Sequence, residues 1–155
     1  KIYPEERGYF HETIEPLLRE SSAFVEIVGE VDARAKDEFL GNARALLFPI
    51  DWPEPFGLVM IEAMAYGTPV IAWRNGSVPE VVADGVTGFV VESTDEAVRA
   101  VARLGTLNRK ACRDLFEKRF DAARMARDYV DIYRRLCAQR EGTDGIHPRP
   151  FATTR

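Results

Sequence analysis

The chain has 155 residues, 46% of them apolar and 30% charged, a size and composition that suit one globular domain with a real core. Its net charge of -4 argues against nucleic acid as the main partner. The sequence holds no apolar run near the roughly 20 residues of a membrane span, and no signal-peptide pattern. Two cysteines, Cys112 and Cys137, favour a reduced, cytoplasmic setting over a disulfide framework.

In chain order, short apolar segments alternate with helical ones. Strands are predicted at 23–28, 45–49, 70–73 and 89–91. Helices are predicted at 4–19, 33–42 after an Asp32 cap, 57–66, 78–82 after a Ser77 cap, 95–104 after a Ser93 or Thr94 cap, 108–119 and 121–137. This alternation predicts an α/β fold, a doubly wound parallel sheet flanked by helices, which binds ligands at the carboxyl ends of its strands.

The chain begins at Lys1 and enters almost at once into a helix that would normally follow a strand, so we expect the N-terminal part of the domain to be missing. The tail from Gly142 has no periodicity and is expected to be mobile. The predicted layout is a partial domain over residues 1–137, with helices at 109–137, and a tail over 138–155.

Two glutamates lie on either side of the start of the helix predicted at 57–66. Glu54 lies in a Trp-Pro-Glu-Pro loop, which can be neither regular helix nor central strand. Glu62 lies in an apolar run, where burying a lone carboxylate costs several kcal/mol unless the group is paired. Between them, the backbone N–H groups of Phe56, Gly57 and Leu58 could bind an anion. This order of acceptor, anion-binding amides and acceptor fits a nucleotide sugar.

Simpler interpretations of the same residues remain open. Glu54 could be a solvated loop charge or a partner of the helix dipole, and Glu62 could face solvent. Trp52 could stack on a ligand, although a role in supporting the loop is favoured. Glu80 is expected to brace the 74–80 loop rather than contact substrate.

Several consecutive segments resemble one known family, the C-terminal, donor-binding domain of the retaining GT-B glycosyltransferases of family 4. The likeness is continuous from about Phe24 to Val91. Its motifs are Pro49-x-Asp51-Trp52-x-Glu54-Pro55-Phe56-Gly57-Leu58, Glu62-Ala63-Met64-Ala65, Gly67-Thr68-Pro69-Val70-Ile71-Ala72, Gly76-Ser77-Val78-Pro79-Glu80-Val81-Val82 and Gly85-x-x-Gly88-Phe89-Val90. A Glu-x7-Glu pattern followed by Gly-Thr-Pro-Val at this spacing is specific.

The resemblance implies a Rossmann-like domain and a role for each site residue. Glu54 would be the catalytic residue that holds donor-sugar hydroxyls, and Glu62 would accept hydrogen bonds from the ribose. The donor sugar and the distal phosphate would contact Glu54, Pro55, Phe56, Gly57 and Leu58. The nucleobase would lie against Gly29, Glu30 and Val31. No metal and no cofactor would be needed, since the nucleoside-diphosphate sugar is the donor substrate.

The chain departs from the family pattern in one respect. The family's Arg and Lys that neutralise the diphosphate belong to segments upstream of this region, and neither is identified here, nor is the acceptor-binding domain. Because fixed cations stabilise the leaving group in such enzymes, we expect the chain alone to bind poorly and to be inactive. The helices at 109–137 would pack on the absent N-terminal domain.

The expected partners are therefore a nucleotide sugar and the missing domain, with no nucleic acid. The net charge of +5 over residues 109–140 also leaves open a peripheral location at the inner membrane face, although a solvated or docked helix face is favoured. Two alternative functions stay open: another GT-B enzyme such as an epimerase or phosphorylase, and a stand-alone nucleotide-sugar or protein-binding module.

Overall fold

The computed structural model describes residues 6–141, with side chains to residue 140. It divides into two compact units, residues 1–43 and 44–155, each described by itself. The predicted mobile tail from Gly142 lies outside the described residues.

The first unit starts with a helix that contains a π-helical turn. Its parts are α1 (Arg7–Tyr9), the π turn Phe10–Ile14 and α2 (Glu15–Glu20). Within the turn, Glu15 N–H donates to the Phe10 carbonyl rather than to the residue one position later. Pro16 follows directly and has no N–H to give the Glu12 carbonyl, which explains the local change of pitch.

The strand predicted at 23–28 does not form, so this prediction is wrong. Residues 25–32 have no regular secondary structure, and the side chain of Phe24 is 91% exposed. A strand needs a hydrogen-bonded neighbour and a covered face. The three strands found in the described range all belong to the second unit, so β-propensity alone does not order this segment.

Helix α3 (Ala33–Asn42) follows this segment and starts at the predicted cap. The Asp32 Oδ1 atom accepts a hydrogen bond from Ala35 N–H at 2.8 Å. Leu40 is buried, whereas Phe39 is half exposed. The Asp32 cap prediction is confirmed.

The second unit contains a parallel sheet, as predicted. Its strands are β1 (Leu46–Phe48), β2 (Val70–Trp73) and β3 (Gly88–Val91), in the order β1-β2-β3. Leu46 lies opposite Val70, which lies opposite Gly88. A Cβ atom at Gly88 would clash with the Val70 main chain, so glycine is required for this strand pair.

The described part of this unit also contains five helices. They are α4 (Leu58–Ala65), α5 (Val78–Val81), α6 (Thr94–Arg103), α7 (Arg109–Phe120) and α8 (Ala122–Glu141), with a 3-10 turn at Leu104–Thr106. Ser93 caps α6 by accepting from Glu96 N–H at 3.2 Å, which confirms one of the two predicted cap positions.

Two apolar layers hold the helices on the sheet. Ile71, Phe89 and Val91 point to one face and pack against α6. Side chains alternate along a strand, so Val70 and Ala72 point to the opposite face. Helix α4 contacts β1 and β2, and its Met60 and Met64 are fully buried, among a set of core residues each worth about 1.5–3 kcal/mol.

The carboxyl end of α4 is fixed by a glycine turn and by α7. Gly67 has φ +70 and donates to Met64 O at 2.9 Å, and Thr68 N–H donates to Ala63 O at 2.9 Å. The guanidinium of Arg113 donates to Ala65 O. The Arg109 guanidinium donates to Thr68 Oγ1 at 2.8 Å. These contacts fix the position of α4 along its axis, and with it the position of the loop before α4.

Candidate functional site

The loop that carries Glu54 follows β1 and is hydrogen-bonded to the loop that follows β2. Asn75 Nδ2 donates to the Ile50 carbonyl at 2.7 Å. Ser77 N–H donates to the Glu54 carbonyl at 2.9 Å. Gly76 has φ +51, and a Cβ atom there would clash with the Glu54 main chain. The backbone of Glu54 is therefore held at the carboxyl edge of the sheet, where parallel α/β sheets bind ligands.

The Glu54 carboxylate lies at the entry to α4, where it binds the amide of the N-cap residue Gly57 and that of Phe56 just before it. Its Oε1 atom accepts from Gly57 N–H at 3.0 Å and from Phe56 N–H at 3.5 Å. Its Oε2 atom accepts from Trp52 Nε1–H at 3.2 Å. A carboxylate at this position also interacts favourably with the positive end of the helix. Two of the three amides predicted to bind an anion thus bind Glu54 itself, and Trp52 supports the loop as expected.

Gly57 shapes the entry into α4. Its backbone is left-handed, with φ 71 and ψ 65. A Cβ atom would lie 3.5 Å from Glu54 Cγ and would clash with the end of the Met60 side chain. Glycine therefore lets the chain turn sharply while Glu54 stays against the helix. After this turn Leu58, the first helical residue, is 64% exposed.

Glu62 lies outside the core although its neighbours in sequence are apolar. Helix α4 buries Met60, Ala63 and Met64. Glu62 is one turn after Leu58, on the stripe opposite these buried residues, and is half-buried. It lies about 7.5 Å along the axis from Gly57. The apolar run around Glu62 suggested that its carboxylate would be buried in the core. In the structure the carboxylate lies on the outer stripe of α4 instead.

The residues predicted to border the base belong to the first unit. Gly29 has φ +78 and lies in the exposed loop before α3. Glu30 and Val31 line a cavity of about 240 Å³. The other lining residues are Val28, Ala35, Glu38 and Phe39. A mainly apolar cavity with two glutamates in its lining can take a flat, partly polar group.

The contribution of Asn75 and Ser77 was missed by sequence reasoning. Both lie more than 20 residues from the backbone atoms they bind. The Asn-Gly dipeptide at 75–76 marks a turn and was the one available signal. Glu80 was expected to brace this loop. In the structure its side chain is exposed and its carbonyl accepts from Arg119 at 2.6 Å.

The Ser77 hydroxyl is buried, and it is the one buried side-chain polar atom without a hydrogen-bond partner in the described residues. Ser77 stands at the predicted cap position of α5, but its side chain makes no cap hydrogen bond. The helix is held instead by its own main chain, since Glu80 N–H donates to Ser77 O at 2.9 Å.

Within residues 6–141, no group of three or more His, Cys, Asp or Glu side chains could hold a metal ion. Cys112 is buried, and burial raises the pKa of its thiol, but it lies on the buried side of α7 with its sulfur near the Val86 carbonyl. No helix in this range has the length and apolar character needed to cross a bilayer.

The fold and the sequence both match known proteins. The structure of Anabaena Alr3699/HepE in complex with UDP has the same fold, with a TM-score of 0.72 at 23% identity, over 84% of this chain and 38% of that one. Residues 17–119 match the family Glycosyl transferases group 1. The chain therefore belongs to this family of GT-B type.

Two curated relatives extend this result. An uncharacterized 41.2 kDa protein in the cps region of Klebsiella pneumoniae is 34% identical over 130 residues, which cover 80% of this chain and 35% of the relative. Alpha-maltose-1-phosphate synthase of Mycobacterium tuberculosis is 38% identical over 119 residues, which cover 65% of this chain and 30% of the relative. The chain spans about a third of the length of these relatives.

Proposed function

We propose that the chain is the donor-binding half of a glycosyltransferase that moves a sugar from a nucleoside diphosphate to a hydroxyl acceptor. The observation that carries the proposal is the Glu54 carboxylate, held at the carboxyl edge of the sheet by the amide of Gly57 just before α4. Membership of the glycosyl transferases group 1 family supports it. A fixed carboxylate beside a helix N-terminus suits a ligand that carries sugar hydroxyls next to a diphosphate.

Each site residue has a role in this proposal. Glu54 accepts a hydrogen bond from a donor-sugar hydroxyl and is the catalytic residue. Pro55 and Phe56 border the sugar, and the Leu58 amide faces the distal phosphate. Glu62, on the outer stripe of α4, accepts from the ribose hydroxyls.

The base is assigned to the first unit by the same proposal. Gly29, Glu30 and Val31 would contact it, with the cavity lined by Glu30 and Val31 as the supporting observation. Widening that cavity with Phe39→Ala should change the preference among nucleoside diphosphates. An unchanged preference would remove this part of the proposal.

The reaction class is proposed to be retaining and metal-independent, on the resemblance to family 4. Neutralising the diphosphate requires fixed cations, and no Arg or Lys of this chain is assigned that role. We therefore expect the 155-residue chain alone to be inactive.

The test uses the full-length protein with a panel of UDP-, GDP- and ADP-sugars and with hydroxyl acceptors. We expect transfer with the donor's anomeric configuration kept in the product, by proton NMR, and undiminished by a chelator. Release of an inverted product would overturn the retaining class. Reaction without an acceptor would favour an epimerase, and release of a sugar phosphate from a glycoside would favour a phosphorylase.

The exposed apolar residues of helix α8 argue against a stand-alone binding module. The helix carries an apolar stripe whose members are all between 42% and 59% exposed. These are Met125, Tyr129, Ile132, Tyr133 and Leu136. A stripe at this spacing is typical of a helix face that covers another surface. We propose that the rest of the same protein, which contains the acceptor-binding domain, covers it.

Anionic membrane is the other surface that could meet this helix. Co-sedimentation of the full-length protein with vesicles containing phosphatidylglycerol, against neutral vesicles as control, separates the two surfaces. Equal, low binding to both is expected if α8 packs on protein.

A further inference from the structure

Two donors hold the two oxygens of Glu54 from different directions. Gly57 N–H binds Oε1 at 3.0 Å, and the indole Nε1–H of Trp52 binds Oε2 at 3.2 Å. A carboxylate held at one oxygen can still rotate about its last torsion, which is soft. A second donor at the other oxygen fixes that rotation.

The chain between Trp52 and Glu54 is stiff enough for the indole to act in this way. Glu54 N–H donates to the Trp52 carbonyl at 2.8 Å, which closes a three-residue turn around Pro53. Pro55 follows Glu54, so prolines restrict the backbone on both sides of it. Ser77 N–H binds the carbonyl of Glu54 from the neighbouring loop. The distance from indole to carboxylate is therefore set by the backbone.

The chemistry of the two groups leaves a defined acceptor position. An ionised carboxylate offers about four lone-pair sites, and an indole N–H only donates. Gly57 and the longer contact from Phe56 use Oε1, and Trp52 uses one site on Oε2. One site on Oε2 is left for a ligand donor such as a sugar hydroxyl.

We propose that Trp52 is a positioning residue for the donor sugar: its indole N–H orients Glu54 so that Oε2 accepts from one sugar hydroxyl. This inference rests on the proposed function. Trp52 is 57% exposed, so it has little role in the core.

The test measures binding by calorimetry on the full-length protein. The probes are UDP-glucose, GDP-mannose and ADP-glucose with their parent diphosphates, and the pair that binds tightest is used. Trp52→Phe keeps a ring and removes the N–H. We expect it to raise the Kd of the nucleotide sugar about three- to tenfold and to leave the Kd of the parent diphosphate unchanged.

The matched control is Trp73→Phe, the same change at the chain's other tryptophan, which packs against the core beside α6. It should lower the unfolding temperature without changing the ratio of the two Kd values. A double-mutant cycle completes the test. In a Glu54→Gln background Trp52→Phe should lose its effect, because the amide has a single oxygen and its NH2 group cannot accept from the donor that faces it.

The outcomes separate the inference from the function on which it rests. A wild-type protein that binds no nucleotide sugar overturns the proposed function. The role of Trp52 is overturned if the wild-type protein binds a nucleotide sugar and Trp52→Phe does not change its Kd. It is also overturned if Trp52→Phe raises the Kd of the nucleotide sugar and of the diphosphate equally, or if its effect is the same in the Glu54→Gln background.

Discussion

Helices α4 and α8 differ in how far other residues of the described chain cover them. Helix α4 has eight residues, and Met60, Ala63 and Met64 are fully buried. Glu54 binds the amide of its N-cap residue Gly57, and Arg113 binds its last turn. Helix α8 has 20 residues, and every one of them from 122 to 140 is exposed.

This difference separates two kinds of amphipathic helix. The apolar residues of α4 serve the core of this unit, so its position is fixed by contacts that the chain itself provides. The apolar stripe of α8 has the same chemistry but no comparable burial in residues 6–141. Packing rather than propensity supplies most helix stability, so α8 gains stability when its stripe is covered.

The methionines give the largest expected contrast, because the chain has three: two in α4 and Met125 in α8. Met60→Ala leaves a cavity in a fully buried site and should lower the free energy of unfolding by about 2–5 kcal/mol. Met125→Ala, at a 58% exposed site, should change it by less than about 0.5 kcal/mol. Urea denaturation of the 155-residue chain measures both. Equal losses would mean that α8 is packed in this chain.

The contacts by which the loop after β2 holds the main chain of Glu54 can be tested at Gly76. Gly76→Ala introduces both a strained φ and a clash with the Glu54 main chain. Gly85→Ala is the control, since Gly85 has φ +73 but nothing within 4 Å of the added atom. Gly85→Ala should cost about 1–2 kcal/mol from backbone strain alone, and Gly76→Ala clearly more.

Urea unfolding and donor binding are measured on both glycine variants. Gly76→Ala should also weaken nucleotide-sugar binding, because the Glu54 loop must move. If the two variants lose the same stability and bind donor alike, the loops after β1 and β2 do not depend on each other.

Local signals in the sequence predicted most of the second unit and the start of α3 in the first unit. Strand β2 was predicted with its observed bounds, and the caps at Asp32 and Ser93 were found because a cap side chain bonds to a residue three positions later. The segment 23–28 failed for the opposite reason. Its β-rich composition says nothing about a neighbouring strand, which depends on residues far away in sequence.

The positions of Glu54 and Glu62 around the start of α4 were predicted from the sequence, but the hydrogen bonds of Glu54 were not. The spacing of Glu54 and Glu62 is a sequence property, and their place at the start of α4 follows from it. The orientation of the Glu54 carboxylate depends on the left-handed Gly57 and on the indole of Trp52. The contacts between the loops after β1 and β2 join residues more than 20 positions apart, which sequence periodicity does not reveal.

The two glutamates of the site should separate in function and in stability. Glu54→Gln keeps one acceptor but removes a charged hydrogen bond, so kcat/KM for the nucleotide sugar should fall about 10- to 150-fold. It should also cost about 0.5–1.5 kcal/mol of stability, because the hydrogen bonds from Gly57 and Trp52 are weakened.

Glu62→Gln tests the outer stripe of α4 by steady-state kinetics and by thermal unfolding. It should raise the Kd of the parent nucleoside diphosphate about tenfold, with stability changed by less than about 0.5 kcal/mol. Unchanged kinetics in both variants of the full-length protein would remove the proposed donor site.

The cysteines extend the comparison of buried and uncovered helices to thiol chemistry. Cys112 in α7 is buried, with its pKa raised by burial, whereas Cys137 in α8 is exposed. The thiolate is the reactive form, so Cys137 should react with a disulfide reagent at pH 8 at least about tenfold faster in the 155-residue chain. Since a raised pKa favours the protonated native thiol, the stability from Cys112 is present below the unfolded-state pKa and is lost as pH rises through the folded-state pKa.

The same reagent tests what covers α8. In the full-length protein Cys137 lies at the edge of the apolar stripe, one residue after Leu136. If another part of the protein covers the stripe, Cys137 should react more slowly there than in the 155-residue chain, while Cys112 is unchanged. The variant Cys137→Ser assigns the fast phase to that residue. A Cys137 that reacts at the same rate in both would leave the stripe uncovered in the whole protein and would contradict the proposed packing of α8.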